Sequence, residues 1–342
     1  MRRLLLISSL VLCLPAGSAL ADVDAKDVAT SAGVSASLYS TFKDDKMMIP
    51  ARDDASSFVA SGGTIRGVYL ESVMQDIRQK NPGLTASDEE LASVVAAFHL
   101  NGAILLRNQT MDADALVRFV SQFGTPEQHT LKEYTMPTHP LVYRLSNRIL
   151  NGKPIGIHND GVGWHTDYSY KQEPVMCTML YAVEVPPEGA DTLVADMVAA
   201  YDSLPAERRA ELDPLQVHHS YQHFMETRDF NRRTLTPEQL ADSPDVMHPL
   251  VRTHPANGRK ALWPSSGTVK GIPGLSTEDA LALVDELVAY GTQEQFVYRH
   301  KWQVGDVLMW DNRCTMHTGT LFDDQKYIRE MHRLWVKGDR PY

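Results

Sequence analysis

The stretch Trp164-His165-Thr166-Asp167-Tyr168-Ser169-Tyr170 holds an imidazole and a carboxylate two positions apart. In an extended segment successive side chains point to opposite faces, so His165 and Asp167 would project together and Thr166 away from them. One imidazole nitrogen and one carboxylate oxygen make half of a facial site for a divalent first-row metal. A second imidazole from elsewhere would complete a 2-His-1-carboxylate set, which leaves coordination positions open. The pair alone is a weak signal, because a chain with 13 histidines produces His-x-Asp by chance. Two blocks near the C-terminus strengthen it: Trp310-Asp311-Asn312-Arg313-Cys314-Thr315-Met316-His317 and then Arg329-Glu330-Met331-His332-Arg333.

Other groupings of ligand-type residues compete. His218, His219 and His223 read as H-H-x-x-x-H, which on a helix would put His219 and His223 on one face, as in metal-binding helices. No Glu follows the first of that pair and no further ligand stands near, so ordinary surface or core histidines explain them. His158 and Asp160 form a second His-x-Asp, but in a Gly-rich loop that would hold ligands poorly. Cys177 and Cys314 lack partners at metal-finger spacing and read as buried free thiols.

The elements that must position the first motif can be followed along the chain. Leu91, Val94, Val95 and Phe98 recur at helical spacing behind a Ser87/Glu90 capping box, and the helix stops before Gly102. A strand follows from Ala103 to Arg107, then a helix capped by Thr110 and ended by Gly124. The segment 151–163, NGKPIGIHNDGVG, resists regular structure and runs into the motif as a natural lid. Val175 to Val185 is an apolar strand, and Asp196 caps a helix. Residues 252–263 read as a hairpin, 264–274 as a substrate-facing insert, and Ser276 with Asp279 opens a further helix. Phe296 to Trp302 alternates as a strand, Gly305-Asp306 turns, and Val307 to Trp310 returns. Short alternating strands around a few packing helices predict a mainly β chain with flanking helices, a jelly roll or double-stranded β-helix.

The 342 residues fit one large or two small domains, with 43% hydrophobic residues for a core. A net charge of −10 argues against nucleic acid as a partner, so an anionic ligand must be caught by a few local basic groups. Residues 1–21 read as an export signal, with Arg2-Arg3, the apolar run Leu4 to Leu14, and Ala19-Leu20-Ala21 before Asp22. The run is too short to span a bilayer, and the reading implies a periplasmic or secreted protein. Residues 22–61 lack apolar periodicity and read as a linker, leaving 62–342 as the folded domain. Self-association is left open by the sequence.

The His165, His317 and Arg329 blocks resemble those of the Fe(II)/2-oxoglutarate dioxygenases of the taurine and chlorophenoxyacetate dioxygenase (TauD/TfdA) family. That family places a WHTD-type block mid-chain, WDNR…H near the end and R-x-M-H-R shortly after. Family-like sequence runs from Gly62 to Tyr342. The resemblance implies a double-stranded β-helix in which His165, Asp167 and His317 occupy one face of Fe(II), with 2-oxoglutarate and O₂ taking the rest. Arg329 matches the arginine that grips the far carboxylate of 2-oxoglutarate, for which a guanidinium offers two parallel donors. Thr192, in Gly189-Ala190-Asp191-Thr192-Leu193, matches the threonine of a GGDTLW block, although Ala190 and Val194 depart from it. Trp310 is expected to pack on the cosubstrate.

By the same resemblance, His129 and Arg333 match residues that hold the substrate's anionic group in the taurine branch, and Tyr168 is assigned beside them. The implied substrate is a small carboxylate or sulfonate, hydroxylated or thereby cleaved with release of succinate and CO₂. Gly161, Tyr168 and Lys132 depart from the taurine pocket, so taurine itself is not expected. Halogenases of this kind lack the carboxylate, so Asp167 favours oxygen insertion. The alternatives are a non-catalytic metal-binding jelly roll and an oxygenase with a desaturation or epoxidation outcome. Export sits awkwardly with a need for 2-oxoglutarate and reduced iron, which are cytosolic supplies.

Overall fold

The computed structural model describes residues 10–12, 98 and 101–342, without 122, 158, 229–231 and 233. Eight strands carry the core: β1 (Ala103–Leu106), β2 (His139–Ser146), β3 (Cys177–Glu184), β4 (Thr192–Asp196), β5 (Val297–His300), β6 (Val307–Asp311), β7 (Thr315–Gly319) and β8 (Glu330–Val336). Five of them lie in a large antiparallel sheet in the order β1-β6-β3-β8-β2, with Leu10–Leu12 beside β1 and Thr135–Met136 beside β2. The other three form a small sheet, β5-β4-β7. The chain is thus mainly β with flanking helices.

The large sheet is covered on both faces, which explains why its strands are apolar almost throughout. A period of two sends alternate residues to opposite sides. In β6, Val307 and Met309 join Leu116, Phe119 and Val120 of helix α1 (Ala113–Ser121). Leu308 and Trp310 point the other way and share a cluster with Val194 of β4, so the small sheet lies against this inner face. In β8, Leu334 and Val336 face the helix side, while Met331 and Trp335 face inward. Arg333 has the inward parity and is buried. On the outer face of the small sheet, Ala195 and Met316 pack with helices α2 (Met197–Asp202) and α4 (Thr277–Gly291), whereas His317 turns in. The remaining labelled helix, α3 (Tyr221–Thr227), follows the strand Gln216–His219.

Several local expectations meet their structural counterparts. The hairpin pairs Val251–Thr253 with Lys260–Leu262. Asp196 caps α2 by accepting from the Val198 and Ala199 N–H groups, and Ser276 caps α4 through the Asp279 N–H. Gly305 takes φ +84°, and a Cβ there would lie 2.7 Å from the Gln109 carbonyl oxygen, so the turn before β6 requires glycine. Cys177 and Cys314 are free and buried.

Two expectations are corrected, and the reading of His219 and His223 as ordinary histidines holds. Helix α1 is capped by Asp112, whose carboxylate accepts from the Ala115 N–H at 2.7 Å, rather than by Thr110. His219 ends a strand while His223 lies in α3, so they share no helical face; Ser220 between them caps the helix by accepting from the His223 N–H. The segment 151–163 is not wholly irregular, because Lys153–Pro154 pairs with Ile149–Leu150. The linker at 22–61 and, apart from the helical Phe98 and Asn101, the helix before Gly102 lie outside the described residues. Among those described, no helix is long and apolar enough to cross a membrane.

Leu308 is fully buried between the sheets. Leu308→Ala should cost about 2–5 kcal/mol, measured in urea as a lower midpoint with an unchanged slope.

Candidate metal centre and flanking cavities

Backbone pairing brings the two histidines together. The His165 N–H donates to the His317 carbonyl at 3.0 Å and the His317 N–H to the His165 carbonyl at 2.9 Å. This isolated bridge ties the loop motif to β7 and sets the two ring centroids 4.2 Å apart. Beyond it the chain turns, with Tyr168 at φ +57°. The Asp167 carboxylate then faces both rings, Oδ1 lying 3.6 Å from His165 Nε2 and Oδ2 3.6 Å from His317 Nε2. The ligand-type atoms of the three residues lie within 4.8 Å of one another. Thr166 points away, as alternation requires, and its hydroxyl donates to the Thr315 carbonyl at 3.1 Å.

The protonation states suit a cation. His165 Nδ1 lies 2.7 Å from the Gly163 carbonyl oxygen, which can only accept, so Nδ1 carries a proton and Nε2 is the ring nitrogen turned toward Asp167. Burial, then the neighbouring His165, push His317 well below the usual imidazole range. Burial alone would raise Asp167, but the charge of Arg333, followed by His317, holds it well below the usual carboxylate range. Two imidazole nitrogens and an ionised carboxylate are the donor set of a facial triad for a first-row divalent ion.

Arg333 donates directly to Asp167 Oδ1. Thr178 of β3 and Trp335 of β8 donate to Oδ2, at 2.5 and 3.2 Å. A second grouping, His254, Asp311 and Cys314, also falls within 4.8 Å. Its acceptors are already used, since Asp311 takes bonds from Arg313 at 2.7 and 2.8 Å and from His254 Nε2 at 3.0 Å. It is a buried ion-pair network.

Two cavities flank the centre and share Asn159, Asp160, Gly161, Val162 and Arg333. The smaller one brings together Thr192, Trp310, His317 and Arg329. Arg329 Nε is buried and has no hydrogen-bond partner among the described residues. Burial, then the charge of Arg333, lower this guanidinium to about 10, so it stays cationic at neutral pH. Trp302 Nε1 donates to the Thr192 hydroxyl oxygen at 3.0 Å, leaving the threonine proton to point elsewhere. An orphaned buried donor and a cation beside the ligand cluster fit an anionic cosubstrate.

The larger cavity, about 310 Å³, has Arg333, His129 and Tyr168 in its lining. His129 is not cationic. The Leu131 N–H donates to its Nδ1 at 2.9 Å, and burial pushes it down to about 4, so it offers a neutral Nε2–H. Its ring lies 4.1 Å from Tyr143 and 5.0 Å from Trp335. Tyr170 and Tyr221, stacked at 4.1 Å, make an aromatic wall with Phe224. Lys132 is exposed. From the expected insert, Ser266, Gly267 and Thr268 do reach this cavity.

The sequence reading missed the Asp160–Arg228 ion pair in the cavity wall, and it missed Thr178 and Trp335. In the sequence Asp160 reads only as a carboxylate in a Gly-rich loop. Thr178 stood as one hydroxyl in an apolar run, and that interruption was the available signal.

Comparison with known proteins agrees with this geometry. Residues 75–335 match the family described as taurine catabolism dioxygenase TauD, TfdA family. Residues 28–97 match a family described as protein of unknown function (DUF2388), overlapping much of the segment read as a linker. The chain is 35% identical over 261 residues to an alpha-ketoglutarate-dependent 2,4-dichlorophenoxyacetate dioxygenase of Cupriavidus pinatubonensis, covering 73% of this chain and 89% of that one. It is 32% identical to pentalenolactone F synthase of Streptomyces arenae, covering 78% and 93%. A crystal structure of a taurine dioxygenase from Burkholderia xenovorans superposes with a TM-score of 0.61 at 30% identity, covering 75% and 83%. The chain is an oxidoreductase, an Fe(II)/2-oxoglutarate-dependent dioxygenase. It belongs to the TauD/TfdA family.

Buried imidazoles make stability depend on pH. Burial lowers His129 and His248 to about 4 and His219 to about 3, from an ordinary 6.5. The unfolded chain therefore takes up protons first as pH falls. Stability is full above pH 6.5 and declines from there toward pH 4, by up to about 1.4 kcal/mol per pH unit for each imidazole. Urea midpoints of the metal-free protein should fall between pH 7.5 and pH 5, and equal midpoints would contradict the burial.

Proposed function

We propose that this chain oxidises a small carboxylate or sulfonate, with Fe(II) held by His165, Asp167 and His317. The observation that carries the reading is the convergence of these three ligand-type atoms between two cavities that share a buried arginine. Bound Fe(II) with 2-oxoglutarate would supply O₂ activation, coupling the oxidative decarboxylation that gives succinate and CO₂ to oxidation of the substrate. Arg329 and Thr192 would hold the far carboxylate of 2-oxoglutarate, and Trp310 would pack on it. The two-sheet arrangement supports a jelly-roll, double-stranded β-helix scaffold, whose strands hold ligands more rigidly than loops do.

The substrate's anionic group would sit on Arg333 with a hydrogen bond from the His129 Nε2–H, and Tyr168 would contact its body. The aromatic wall of Tyr170, Tyr221 and Phe224 favours a flat or apolar body over a short polar one. The 2,4-dichlorophenoxyacetate dioxygenase relative supports the same choice. Hydroxylation, with cleavage where it leaves an unstable product, is the outcome proposed. Export through residues 1–21 is also proposed, and mass spectrometry of the mature protein should then find Asp22 at its N-terminus.

Purified protein given Fe(II), ascorbate and 2-oxoglutarate should release succinate, and aryloxy carboxylates should stimulate it. His317→Ala should bring release to background. Arg329→Lys should raise the KM for 2-oxoglutarate about 10–100-fold with a smaller change in kcat, because it replaces a bidentate grip with a point charge. Arg333→Ala should raise the KM of the stimulating anion by a similar factor, and an unchanged KM would remove Arg333 from substrate binding.

A further inference from the structure

The hydroxyl of Thr178 has a direction that the structure fixes. The Asp167 backbone N–H can only donate, and it meets Asn312 Oδ1 at 3.4 Å. The other end of that amide, Nδ2, therefore faces Thr178 Oγ1, at 2.9 Å. An amide NH₂ also can only donate. The threonine oxygen accepts from it and sends its own proton to Asp167 Oδ2, 2.5 Å away. The result is a one-way chain, Asn312 to Thr178 to Asp167, in which every member is buried and each bond polarises the next.

Asn312 is itself immobilised. Its N–H donates to the Met176 carbonyl at 2.8 Å, and its carbonyl accepts from Trp263 Nε1 at 2.9 Å. The neighbouring Asp311 is clamped by Arg313 and His254. The buried network of His254, Asp311 and Arg313 thus anchors the amide that grips the Asp167 backbone and, through Thr178, its carboxylate.

We propose that Thr178, oriented by Asn312, is a positioning residue for the metal centre, holding the Asp167 carboxylate in the rotation that presents it to both imidazoles. The inference rests on the metal assignment above, but it is read separately from activity. Mn(II) and Co(II) are titrated into the metal-stripped full chain, followed by calorimetry and by the Co(II) ligand-field spectrum.

T178V removes the proton and keeps the shape, so it should weaken Mn(II) binding about 10–100-fold and shift the Co(II) bands, while T178S restores both. Melting without metal reports folding independently. Should T178V fail to fold, T178A carries the same reading with a smaller side chain. T178V binding Mn(II) within about twofold of the parent overturns the proposal, and so does T178S behaving like T178V. A parent chain that takes no Mn(II), indistinguishable from H165A and H317A, overturns the metal centre itself.

Discussion

A carboxylate removed from water must be met by charge and donors, or it will not stay ionised. Asp167 places that demand on this chain, and much of the fold can be understood as the answer. Arg333 and Trp335 come from β8, Thr178 from β3 and His317 from β7. Those strands belong to different sheets, so the carboxylate is satisfied only where the two sheets face each other. The alternation that buries Leu308 and Trp310 inward in β6 also delivers Arg333 inward in β8. Core packing and site assembly are one arrangement.

One of the two imidazoles complements this charge balance by staying neutral. His317 is kept so by burial, and His165 Nδ1 is occupied by the Gly163 carbonyl. The backbone bridge between His165 and His317 sets the separation at which the two rings meet, so the loop that carries the motif needs no regular structure of its own. Family membership and geometry agree here: dioxygenases of this class need a cation site with room beside it, and the cavities provide that room.

What could be read from the sequence was what lies close in sequence or repeats. His165 and Asp167 announce themselves by spacing, and β6 by the apolar run from Val307 to Trp310 after the Gly305-Asp306 turn. Resemblance to a family supplied His317, Arg329 and Thr192, which no local rule would have linked to residue 165. Interactions set by tertiary placement stayed hidden. Thr178 looks like any hydroxyl in an apolar strand until β3 lies beside β8, and the Asp160–Arg228 pair joins residues 68 apart. Local chemistry also misled where a nearer competitor won: Asp112 displaced Thr110 as cap.

The partition between the cavities is made of few parts. The loop residues 159–162 and Arg333 belong to both, so neither chamber has a wall of its own at that point. On the proposed roles, a guest that drew the Arg333 guanidinium toward one side would reshape the opposite chamber. By thermodynamic linkage the influence would run equally in both directions. Cosubstrate and substrate affinities would then not be separate quantities, and each occupant would tune the welcome given to the other.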